Sequence, residues 1–136
     1  MANVSVSPLS GARDIQVKSF SIARTDTTAS IKAQLPAGSV PIAFILNGTV
    51  SSDAATTGTI SIGNTSTSNE YVNGYSVKTN GASAALLPAI GGIGSVASGA
   101  SLPRGLPVQL YGKYAETGTA STTGGPWTID VLYVVL

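Results

Sequence analysis

The chain has 136 residues, enough for one domain that buries roughly two-thirds of the surface its unfolded form exposes, and too few for a second. It contains no Cys and no His, which excludes disulfide frameworks, Cys/His zinc sites, thiol nucleophiles and every His-based catalytic constellation. Its net charge is +1, with no pull toward nucleic acid or an anionic membrane, and 10% of its residues are charged where an ordinary soluble domain carries about 25%.

Hydrophobic content is an ordinary 43%, so Ser, Thr, Gly and Asn stand where Lys and Glu normally would. Such a surface lacks the charge repulsion that keeps a small domain monomeric, and composition therefore points to a subunit of an assembly, with a neutral glycan-binding β-sandwich module as the alternative. The opening residues carry neither the basic nor the apolar block of a secretory signal. Residues 1–10 read as an extended arm that orders against a neighbour, with Val4, Val6 and Leu9 as its candidate contacts, and residues 11–136 as one β-sandwich domain.

Along the rest of the chain the apolar period is two. Between Ile15 and Ile22 the phase slips, Ile15 and Val17 on one face and Phe20 and Ile22 on the other, which predicts a β-bulge near Lys18-Ser19 or a strand crossing between sheets. Ala29, Ile31, Ala33 and Leu35 alternate with polar residues as a strand with one face on a core. Leu35-Pro36-Ala37-Gly38 has the residues of a type I turn. Pro41 to Leu46 is continuously apolar and reads as a central strand covered on both sides.

Small residues from Ser51 to Thr59 and from Asn64 to Asn69 read as loops, with Asp53 in an Asx-type turn, Glu70 ending the second loop, and Ile60 and Ile62 on a strand between them. Asn80-Gly81 predicts a two-residue hairpin between Tyr75–Thr79 and Ala82–Leu87; Asn47-Gly48 and Asn73-Gly74 read as hairpins or bulges. The uncharged interval from Lys78 to Arg104 is long enough to span a bilayer, but Pro88, Pro103 and Gly91-Gly92 make it a poor transmembrane helix. Its Gly91–Ser101 portion reads as a loop with Ile93 and Val96 as candidate contacts.

Leu106, Val108, Leu110, Gly112 and Tyr114 share one face of a strand whose polar face carries Tyr111. Thr117 to Gly125 is a loop, and the final strand puts Trp127, Ile129, Val131, Tyr133 and Val135 inward. Leu132, Val134 and Leu136 make its opposite face apolar too, which predicts contact with another subunit or a loop such as Ala84–Ala100 folded over it. The whole reads as all-β, with seven to nine strands and no capped helical period.

Chemistry is thinly supplied. Asp14, Asp26, Asp53, Glu70, Glu116 and Asp130 are far apart, and Arg13-Asp14 and Arg24-Asp26 read as local solvated pairs. No calcium-loop spacing occurs, and Gly91-Gly92-Ile93-Gly94-Ser95 lacks the lysine of a phosphate loop. The residues point to no enzyme, no metal and no cofactor. Tyr71, Tyr75, Tyr111, Tyr114 and Tyr133 with Trp127 could stack on sugars, but most fall at inward positions, leaving Tyr111 as the candidate ligand-stacking residue.

Ser52-Asp53-Ala54-Ala55-Thr56-Thr57-Gly58-Thr59-Ile60-Ser61-Ile62-Gly63, followed by Asn69-Glu70-Tyr71-Val72-Asn73-Gly74, resembles a segment recurring in small virion proteins of tailed bacteriophages. The stretch from Tyr111 through Gly124-Gly125-Pro126-Trp127-Thr128-Ile129 resembles the end of the same proteins, and Leu35-Pro36-Ala37-Gly38 their early turn, so about half the chain is covered. Such proteins include capsid decoration or cement proteins and head-fibre or tail-associated components. The resemblance implies a single-domain antiparallel β-sandwich, jelly-roll-like, without enzymatic activity. It also implies a trimer that binds the major capsid protein on the outside of the head, in a virion assembled in the host cytoplasm.

Overall fold

The computed structural model describes residues 14–48, 50–80, 83–87 and 106–135. Eight strands and one helical turn are present there: β1 (Gln16–Ile22), β2 (Ser30–Leu35), β3 (Ser39–Asn47), β4 (Thr57–Gly63), β5 (Val72–Ser76), α1 (Val77–Asn80), β6 (Ala84–Leu86), β7 (Val108–Thr117) and β8 (Trp127–Val135). They form two four-stranded sheets, ordered β1-β8-β3-β6 and β2-β7-β4-β5, with antiparallel neighbours throughout. Apart from β4 to β5, each successive strand changes sheet. This is the eight-stranded jelly roll, in which two interlocked Greek keys put the inner faces of both sheets on one core.

The core follows the period of two. Ile22, Leu35, Leu46, Ile60, Ile62, Leu110, Tyr114, Trp127, Ile129 and Val131 are buried between the sheets. Tyr114 stacks on Trp127 at 5.2 Å, and the indole Nε1–H donates to the Val50 carbonyl at 3.1 Å, so the largest buried side chain is satisfied as well as packed.

Several local expectations are corrected. β1 carries no bulge and does not cross between sheets: it stays in register with β8 from Gln16↔Tyr133 to Ile22↔Trp127. The phase slip arises because the outer side of its first half is itself apolar. A bulge lies instead in β2, between the pairs Ile31↔Tyr111 and Ala33↔Leu110, so Ala33 and Leu35 turn inward while Ile31 remains 50% exposed. The extra residue, Lys32, reaches Asp26 at 2.7 Å, and Arg24 donates to the Ser121 carbonyl, so Arg24 and Asp26 are not the expected pair. The early turn sits one residue later, closed by Ser39 N–H to the Pro36 carbonyl, because Gly38 supplies the left-handed φ of +82°.

No hairpin forms at Asn80-Gly81. A helical turn precedes it, and β5 and β6 lie in different sheets, so the connection is a crossing. β4 begins at Thr57 rather than after Thr59. Asn73-Gly74 does form a bulge: these two residues of β5 stand against one of β4, Ser61, and Gly74, at φ +73°, donates its N–H to Ser61 Oγ.

The loops at one end are tied together by hydrogen bonds. Ala55 N–H donates to Thr119, Gly125 N–H to Val50 and Ser52 N–H to Val77, while the Asp53 carboxylate accepts from Thr122 N–H, Thr122 Oγ1 and Thr123 N–H at 2.7–2.9 Å. Those bonds, from Thr123 and Thr122, pull the Asp53 carboxyl down to about 2. Residues 64–71 are organised by Glu70, whose carboxylate accepts from Asn64 N–H and Thr65 N–H at 2.8 Å and from Thr67 Oγ1. Burial opposes ionisation of Glu70, but the donors outweigh it and hold its carboxyl below the usual range. Burial and then the Glu70 charge push the adjacent Tyr71 phenol up to about 12.

Candidate functional site

The strands of the β1-β8-β3-β6 sheet carry apolar residues on both faces. In antiparallel pairs, opposed residues point the same way, so the register shows which side chains share the outer face. Leu132 and Val134 alternate with the buried Val131 and Tyr133 and therefore face outward. Opposite them stand Val17 on β1 and Ala43 and Val40 on β3, with Ile45 following. Val17 is 60% exposed, and Ile15, which shares its parity, is 61% exposed. An apolar cluster thus runs across three adjacent strands about 4.8 Å apart.

Of the reading of Pro41–Leu46 as a central strand covered on both sides, the central position holds, since β3 lies between β8 and β6, but the cover does not extend to its outer side. Its inner side is sealed by Phe44 and Leu46, while Val40 and Ile45 on its outer side are only half-buried.

A polar row bounds the cluster. Asp130, on the same outer face, accepts from Ser19 Oγ of β1 at 2.5 Å and from Asn47 Nδ2 of β3 at 2.7 Å. One carboxylate thereby joins three strands, and beyond it the face is finished by Ser21 and Thr128. The cluster and its border give this face the make-up of a contact patch, with an apolar centre and a polar rim.

Of the contact residues expected from sequence, Leu132 and Val134 lie on this face; Val4, Val6, Leu9, Ile93, Val96 and Leu136 lie outside the described residues. Sequence reasoning missed Ile15, Val17, Val40 and Ile45. The signal was present, because apolar residues at both parities of residues 15–22 and 40–46 carry the same meaning as those of the final strand.

Tyr111 lies on the outer face of the other sheet, as its strand parity requires. It is half-buried, opposite Ile31 and Gly63, with its hydroxyl 3.4 Å from Gln109 Oε1. No aromatic platform surrounds it: Tyr71, Tyr114, Tyr133 and Trp127 are buried in the core. The carboxylates do not gather either. Glu116 accepts from Tyr114 and Ser121, which hold it below the ordinary range, and Tyr114 OH lies 2.6 Å from Ser52 Oγ. Among the described residues, no group of three acidic side chains is placed to hold a metal ion, and no helix is long and apolar enough to cross a membrane.

Fold and surface together define a small jelly roll with one apolar sheet face. Among solved structures, the chain is similar to a chain of the cyanophage Pam1 capsid asymmetric unit, with a TM-score of 0.63 and 19% identity over 99% of this chain and 94% of that one. At that identity the likeness is one of fold. The two coverages make it a chain-for-chain match rather than a match to one domain of a larger protein. No protein-family model matches the chain, and no curated protein matches it in sequence.

Proposed function

We propose that this chain is a non-enzymatic structural protein of a bacteriophage virion that binds the outside of the head and bridges major capsid protein subunits, as a cement or decoration protein. The observation that carries this reading is the end-to-end fold likeness to a chain of a phage capsid asymmetric unit. The apolar face around Val17 and Leu132 supports it, because a neutral protein surface is the partner such a face fits. In this reading the chain assembles as a trimer, joins the particle in the host cytoplasm and needs no cofactor.

A shell fails where its subunits part. A protein that bridges them adds buried area that has to be lost first. A contact of standard size, around 1,600 Å², corresponds to about 40 kcal/mol of gross burial at about 25 cal/mol/Å², of which only a part survives as affinity. Quantitative mass spectrometry of purified virions tests the reading. A copy number comparable with that of the shell subunits is expected, together with earlier DNA release from heads stripped of the protein. A few copies per particle would overturn it in favour of a tail or fibre component.

A further inference from the structure

β1 is the outermost strand of its sheet and, among the described residues, has a strand partner on one side only, β8. Such an edge presents unpaired N–H and C=O groups, and proteins usually blunt it with proline, a bulge or several charges. β1, with the sequence QVKSFSI, has no proline, no bulge and one lysine. Its two sides also differ. Toward the outer face it shows Val17; on the inner parity at the same end, Gln16 and Lys18 are exposed rather than buried. A strand laid beside it would need apolar residues on one parity and small polar ones on the other.

The segment that leads into β1, residues 1–13, lies outside the described residues and has that pattern: Val4 and Val6 alternate with Asn3, Ser5 and Ser7, and the first charged side chain is Arg13. Pro8, which has no N–H to donate, ends the alternating run. Thirteen extended residues reach about 43 Å, against about 23 Å for the seven residues of β1.

We propose that residues 2–7 of one copy add as a strand to the β1 edge of a second copy, so that the arm and that edge form two halves of one head-to-tail contact and the apolar face stays free. Val4 and Val6 prolong the cluster of Val17 and Leu132, and Asn3, Ser5 and Ser7 sit beside Gln16 and Lys18. Main-chain bonds supply pairing and the alternate side chains supply register. A contact of this heterologous kind closes into a ring when the rotation allows, and the trimer proposed above is such a ring. The inference rests on the reading of the chain as an assembling subunit, but its test uses the isolated protein, so its failure would leave the copy number on virions unaffected.

The test compares the full chain, a chain lacking residues 2–7, and the double variant Val4→Pro with Ser5→Pro, which removes a donor of each strand parity and so breaks the pairing whichever register is used. Light scattering and amide hydrogen exchange of residues 16–22 are measured over a dilution series. The full chain should scatter as an oligomer with its β1 edge amides protected, and protection should fade on dilution. Both variants should lose the protection and about threefold in mass, and should still unfold cooperatively at a melting temperature that no longer depends on concentration. An unchanged mass in either variant overturns the proposal. So does a monomeric full chain at high micromolar concentration, or protection that does not depend on concentration, which would mean that the arm pairs with its own β1.

Discussion

The two outer faces of the sandwich belong to sheets of equal strand number and present opposite chemistry. On the β1-β8-β3-β6 sheet the outer positions are held by Val17, Val40, Ile45, Leu132 and Val134, with Asp130 as the charged group tied into a polar border. On the β2-β7-β4-β5 sheet they are held by Gln34, Gln109, Tyr111, Lys113, Thr59 and Thr117, with Ile31 as a single exposed large aliphatic side chain, and the hydroxyls satisfy one another or the backbone, as between Thr57 and Thr117 at 2.7 Å. The second face is finished as a solvent surface. The first is not, and in a chain with so few charges this asymmetry is what the proposed docking side rests on.

Charge placed on each face sharpens the comparison most. Val17→Lys with Leu132→Lys should weaken association with heads at least about a hundredfold, because each ammonium is desolvated without a partner. Thr117→Lys on the opposite sheet should change it less than about threefold, and Val134→Lys alone should fall between. Cosedimentation with stripped heads reads the affinities and thermal melts confirm folding. Equal losses from both faces would break the comparison.

Gly63→Ala comes next. An added Cβ would stand 2.4 Å from Glu70 Oε1 and 2.8 Å from the backbone nitrogen of Asn69, so denaturant unfolding should show a loss of about 1–3 kcal/mol. Head binding at a temperature where the variant is folded should stay intact, since that position belongs to the polar sheet. Asp130→Ala removes the carboxylate that joins β1, β8 and β3 and should cost about 1–2 kcal/mol by the same measurement. Tyr111→Ala should have the smallest effect, under about 1 kcal/mol on stability, with flat calorimetric titrations of host polysaccharides before and after the change.

Acid provides a separate check on the loops. Asp26, Asp53, Glu70 and Glu116 all have folded values below their ordinary ones, so the unfolded chain binds more protons and stability falls as pH falls. The decline should begin near the ordinary glutamate value of 4.5 and continue until the folded values are passed, about 2 for Asp53. With no histidine to titrate, melting temperatures should stay level from roughly pH 8 to 5. Glu70→Gln should flatten part of the acid limb.

Much of this architecture was legible because strand parity is a local property. Val108, Leu110 and Tyr114 went inward as their alternation required, and Leu132 and Val134 outward. What local pattern cannot report is which sheet the next strand joins. Asn80-Gly81 has hairpin chemistry, yet β5 and β6 part to different sheets, because the jelly-roll winding decides the partner. Long-range partners were likewise out of reach: Arg24 bonds to a carbonyl 97 residues away rather than to its neighbour Asp26. The same holds for the bulge that turns Ile31 outward, since only the pairing with β7 reveals the extra residue.

The position of β8 has a consequence for how the molecule is made. It lies between β1 and β3, so among the described residues β1 has no strand partner, and β3 only the three-residue β6, until Trp127–Val135 emerges from the ribosome. Sheet closure therefore waits on pairings more than a hundred residues apart, the kind of topology that folds slowly and after synthesis rather than during it. Nascent chains halted before Trp127 should be cleaved rapidly by protease, and only copies carried through to that strand would have a finished outer face.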